Sequence, residues 1–152
     1  MTKTIGAVLL AVALLIFTLA AVASPPTSIV ITDDFVYSDP CTGEDVHVTG
    51  TTVIRTSTSV SNDIEHVSLH VSQKDTGIGL TSGATYKING EDTQQVNIRL
   101  VNGTGEENAV TTFNVIGKGN VANEHVKELL HVTVNAGGTV TVQRTSITDT
   151  CH

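Results

Sequence analysis

Beyond residue 23 the chain alternates. Thr, Val and Ile recur in short period-2 runs between clusters of Gly, Asn, Asp and Ser, and no long stretch carries the period of an amphipathic helix. This pattern predicts strands at 28–37, 45–60, 64–74, 84–89, 95–102, 109–117, 125–135 and 139–148. Turns are expected at Ser61-Asn62, Asp75 to Gly83, Asn89-Gly90, Asn102 to Glu107, Gly117 to Asn120 and Ala136 to Gly138. Asn123 to Leu130 competes as a helix, because Val126, Leu129 and Leu130 fall at helical spacing. Val132-Thr133-Val134 then restores the strand pattern, and the segment is read as strand.

The alternation also sorts faces. Val46, Val48, Ile54 and Val60 share one side of the second strand, and Val67, Leu69 and Val71 one side of the third. A two-residue loop at Ser61-Asn62 pairs Ile54 with Leu69 and keeps apolar residues together. A loop of Ala136-Gly137-Gly138 pairs Val134 with Val140 and Val132 with Val142, its glycines supplying positive φ. Several antiparallel strands with one apolar face must bury it, and short meander connections favour closure. The expected fold is all-β, a single antiparallel barrel of about eight strands, with a two-sheet β-sandwich as the alternative.

The N-terminal segment follows different rules. Lys3 precedes an uncharged run from Ile5 to Ala23, Ala21-Val22-Ala23 supplies a small-residue cleavage site, and Ser24-Pro25-Pro26 breaks any helix. Residues 1–23 read as a signal peptide and 24–152 as one all-β domain; a retained membrane anchor is the competing reading. Cleavage after Ala23 leaves 129 of the 152 residues and moves the net charge from −7 to −8. Such an acidic domain without basic runs excludes nucleic acid and, after cleavage, membrane as natural partners. Only Phe35, Tyr37, Tyr86 and Phe113 are aromatic beyond the signal, so the core is aliphatic and stacking platforms are scarce. An exported chain with two cysteines implies a Cys41–Cys151 disulfide and a secreted, periplasmic or cell-surface location.

Two motifs carry a resemblance. Asp39-Pro40-Cys41-Thr42-Gly43-Glu44 opens the domain, and Leu130 to Val140, through Asn135-Ala136-Gly137-Gly138, leads to the near-terminal Cys151. The order of parts resembles a group of small, uncharacterised secreted bacterial β-proteins, whose members more often carry Asn where Asp39 stands. The resemblance implies an exported β-domain with a terminal cysteine pair, and no activity.

No catalytic set stands out. There is no G-x-S-x-G elbow, and both cysteines are committed to the disulfide. Glu91-Asp92 and Glu106-Glu107 are expected in turns, where solvation keeps carboxylates ordinary. Gly77 and Gly79 flank Ile78 in an expected loop without a following helix, which makes no phosphate cradle. Asp33, Asp34, Asp39, Glu44 and Asp45 read as a solvated acidic edge rather than a calcium loop. Asn102-Gly103-Thr104 is a glycosylation sequon in a turn. His66 and His70 share a face but stand about 13 Å apart along a strand, too far for one metal ion. No metal or cofactor is expected. One positive patch is suggested: Arg55 with His66 and His70 as diagonal neighbours, and His47 further along the same face. That face is the candidate binding site for an unknown, anionic extracellular partner. The alternatives are a structural subunit of a surface assembly and a barrel enzyme without recognisable motif.

Overall fold

The computed structural model describes residues 25–152, so the signal peptide expected at 1–23 lies outside the described residues. Seven strands follow: β1 (Thr27–Asp39), β2 (Glu44–Ser61), β3 (Ile64–Gly79), β4 (Thr85–Arg99), β5 (Gly105–Gly117), β6 (Glu124–Val134) and β7 (Val140–Cys151). They form one antiparallel sheet in chain order, β1 to β7. The expected helical competitor is strand, within β6.

The count of seven, rather than eight, has a local cause. The segments expected at 84–89 and 95–102 are one strand, because Asn89-Gly90 is not a turn. A Cβ on Gly90 would stand 2.9 Å from the Gln73 amide oxygen and 3.5 Å from the Phe113 ring. The glycine makes room for side chains of the two flanking strands. Gly77 and Gly79 likewise lie inside β3, where Val46 and the Glu44 carboxylate occupy the space their side chains would need. Glycine marks a turn or a close approach equally well in sequence, and here the close approach wins three times.

The β2–β3 turn is Asn62-Asp63, one residue later than expected, with φ of 50° and 60°. A two-residue hairpin loop of this type needs positive φ at both positions, which Asn and Asp tolerate better than Ser. The register therefore moves by two residues, pairing Ile54 with Val71, Arg55 with His70 and Thr56 with Leu69. An even shift leaves every side chain on its expected face. At the β6–β7 hairpin Val134 does pair with Val140, but a bulge follows at Thr133/Val134 and sets Val132 opposite Gln143, not Val142.

Neither a closed barrel nor a two-sheet sandwich forms. The sheet is single and open: among the described residues β1 pairs only with β2, and β7 only with β6. Seven strands of a meander leave the edge strands parallel to each other, so the antiparallel closure expected of eight strands is not open to them. The sheet nevertheless curls, and its edges meet at one end, where Cys41 and Cys151 form a disulfide with Cα atoms 5.5 Å apart. The core sits at that end. Tyr37, Val46, Val48, Tyr86, Ile88 and Val115 are buried together, with Ala84, Phe113 and Val121 packed against them. Tyr37 of β1 reaches across the hollow to the Phe113 ring, centroids 5.6 Å apart, and its hydroxyl donates to the Glu124 carboxylate of β6.

Candidate functional site

The pairing assigns every strand residue to the concave or the convex face. Val46, Val48, Ile88 and Val115 fix the concave side, and alternation does the rest. All four residues of the expected binding face fall on the convex side. Arg55 and His70 are direct cross-strand partners. His66 lies four residues from His70 and is tied elsewhere: its Nδ1 is 2.7 Å from the Asn97 side-chain oxygen and its Nε2 3.0 Å from the Ser61 hydroxyl. His47 stands eight residues from Arg55, about 26 Å along β2, and is 2.7 Å from the Asp34 carboxylate. The structure thus joins Arg55 to His70 and separates His47 from them. Nor is that cluster the sole cation of its face, since Lys74, Lys87, Arg99, Lys127 and Arg144 also point outward.

The concave face shows the complementary rule. No Lys, Arg or His of any strand points inward, whereas most of the carboxylates do. Asp33, Asp75, Asp92 and Glu107 run through its middle, and Glu124, Glu128 and Asp149 continue along β6 and β7. Three of them are held by hydrogen bonds from neighbouring side chains. Asp33 accepts from the Thr52 hydroxyl at 2.6 Å. Asp92 accepts from Gln94 at 2.8 Å and from Thr111 at 3.1 Å. Asp75 accepts from Gln73 at 2.5 Å, while its other oxygen lies over Gly50 with no hydrogen-bond partner. Only 5 % of Asp75 is exposed.

Burial without a cation has electrostatic consequences. Desolvation raises the Asp75 carboxyl above its ordinary range, and the neighbouring Asp33 adds to the shift. Glu107 is raised by desolvation and by Asp92. Glu124 is raised by burial despite the Tyr37 hydrogen bond, with Asp149 and Asp39 pushing the same way. Burial also raises the Tyr37 phenol. Glu44 behaves oppositely. Backbone N–H and hydroxyl donors of Ser82, with the N–H of Thr81, hold its carboxyl low while it caps the β3–β4 turn.

One further part of the concave face is apolar. Towards the hairpin end, Val96, Ile98, Val132 and Val134 line a hollow of about 110 Å³ beside Glu107. That is well below the roughly 300–1,000 Å³ of a typical small-molecule pocket.

The expected acidic edge at residues 33–45 is dispersed. Asp34 faces outward to His47, while Asp39 accepts from the Cys41 N–H and the Thr42 hydroxyl in the β1–β2 turn. Among the described residues no group of three or more His, Cys, Asp or Glu is placed to hold a metal ion. Asp92 and Glu107 lie in strands, not in solvated turns. The concave carboxylates were hidden by that misplacement. A signal existed, since Asp92 shares its parity with Ile88 and Val96, and Glu107 shares its with Ala109 and Val115. Among the described residues no helix is long and apolar enough to cross a membrane. Compared with known proteins, the chain matches no family model, no curated protein and no solved structure.

Proposed function

We propose that this is an exported, non-catalytic binding module whose ligand is cationic and partly apolar and lies along the concave face. The observation that carries the reading is the sidedness of charge: the inward residues of the strands that carry charge at neutral pH are all Asp or Glu, and the strand Lys, Arg and His residues are all convex. Low-dielectric walls of one sign concentrate oppositely charged ligands. The disulfide, the processing site expected after Ala23 and the resemblance to secreted β-proteins support export to the cell surface, periplasm or medium.

Calorimetric titration of the 24–152 protein with heptalysine at pH 7.5 tests this. The Asp92→Asn, Glu107→Gln, Glu128→Gln variant is expected to bind at least tenfold more weakly, and Arg55→Ala, His70→Ala unchanged. Equal binding by the carboxylate variant rejects the concave site. The convex face gives the second reading, an anionic partner met by Arg55 and His70, supported by their direct pairing. Acidic polysaccharide bound more tightly at pH 5.5 than at 7.5, and lost in Arg55→Ala, His70→Ala, is its signature.

A further inference from the structure

The two edges of the sheet define a second feature. Strands β1 and β7 are both unpaired on their outer side and run parallel, and their C-terminal ends are pinned together by the disulfide. Away from that end their Cα atoms stay more than 8 Å apart along almost all their length. Two strands with another between them lie about 9.6 Å apart, twice the normal spacing. Exposed apolar side chains gather at these edges. Of sixteen exposed large hydrophobics among the described residues, eight lie in β1 and β7, among them Ile29, Ile31, Phe35, Val140, Val142 and Ile147. Edge strands ordinarily carry a device against pairing, and here the inward charges of Asp33 and Asp149 serve as one, which only a strand that brings cations would neutralise.

We propose that the seam between β1 and β7 receives one extended strand of a basic peptide, antiparallel to both edges, which completes an eight-stranded antiparallel barrel. This rests on the proposed concave binding face and names its ligand class. Parity requires the direction, because a strand between two parallel edges pairs with both in the antiparallel sense only when it runs opposite to them. Edge addition supplies backbone hydrogen bonds on two sides, and alternate side chains then set specificity. Inward side chains of the peptide meet Phe35, Ile31, Ile29 and Ile147, which calls for apolar residues, and meet Asp33 and Asp149, which calls for Lys or Arg. A second copy of the chain fits β1 poorly. The strand is centred on Asp33-Asp34, so a two-fold antiparallel pairing about its middle sets aspartates against aspartates.

The probe is an acetylated, amidated eleven-residue peptide of repeating Val-Thr-Lys-Thr, which places Val and Lys on one face, and its counterpart N-methylated at alternate residues. Charge and side chains are the same in both, and only backbone donors differ. The unmethylated peptide is expected to bind the 24–152 protein at 1:1, at least a hundredfold more tightly than its methylated counterpart. It is also expected to protect amides of β1 and β7 from hydrogen exchange. Asp33→Asn, Asp149→Asn should weaken it about tenfold. Equal binding of the two peptides overturns strand insertion and leaves the anionic face standing. Binding of neither, with heptalysine also unbound, removes the underlying reading instead. A protein that dimerises at micromolar concentration with its own β1 and β7 amides protected assigns the seam to a second copy and overturns the proposal.

Discussion

At Gly50 the fold depends on the absence of a single atom. A Cβ there would fall on the free oxygen of Asp75 and within 2.6 Å of the Asp75 Cα and the Lys74 carbonyl. Two of those neighbours are backbone, so strands β2 and β3 would have to separate. Gly50→Ala is expected to lose about 1–3 kcal/mol, the usual range for overpacking, read as a lower urea midpoint. Tyr37 supplies the opposite case, a contact whose value depends on charge. Its hydroxyl donates to Glu124, of which 3 % is exposed. Removing a partner from a buried acceptor costs about 1–3 kcal/mol. That hydrogen bond also lowers the Glu124 pKa against the burial that raises it. Tyr37→Phe should therefore lower the melting temperature more at pH 7.5, where a larger share of Glu124 is ionised, than at pH 4.5.

Among the strands, β1 and β7 are the least secured, each held by one ladder. The disulfide compensates by tying the β1–β2 turn to the last residue of β7 across 110 residues of sequence. The chain-entropy model assigns such a closure about 4–5 kcal/mol, a large share of a domain's usual 5–15 kcal/mol. Cys41→Ser, Cys151→Ser is expected to lower the urea midpoint accordingly. Hydrogen exchange should show the loss first in β1 and β7, with β3 and β4 retaining protection. Uniform loss across all seven strands would show that the edges are not independently mobile. Much of this level was legible in advance. The alternation located most strands within a few residues, but inward glycines were read as turns, because a missing side chain carries no label for what replaces it.

Across the whole molecule the charge arrangement sets an unusual pH response. Asp75, Glu107 and Glu124 have raised folded-state pKa values. The folded protein thus holds protons that the unfolded chain releases, and stability falls as pH rises from the unfolded values near 4 through the raised folded ones. Glu44, with a lowered pKa, contributes in the reverse sense, its share being lost as the pH falls through its folded value. Three raised groups against one lowered and exposed group predict a higher melting temperature near pH 5 than near pH 8. At pH 8 added salt should recover part of the difference by screening the inward carboxylates. A melting temperature that rises steadily from pH 5 to pH 8 contradicts this assignment.

Strand formation, the facing of each residue and the cysteine pairing follow from local rules. Period-2 alternation reports burial residue by residue, and a chain with two cysteines has one intramolecular disulfide to make. Even the β2–β3 register error preserved the faces, since a shift of two keeps parity, and Arg55 met His70 as neighbours of a common surface. Closure was beyond such reasoning. Whether Asn89-Gly90 turns or continues depends on Gln73 and Phe113, which are distant in sequence and meet it only in the assembled sheet. That one decision makes the strand count odd, leaves the edges parallel and opens the seam. The anionic face has the same origin: Asp33, Asp75 and Glu124 are scattered along the chain, and only the curl of the sheet turns them towards one hollow.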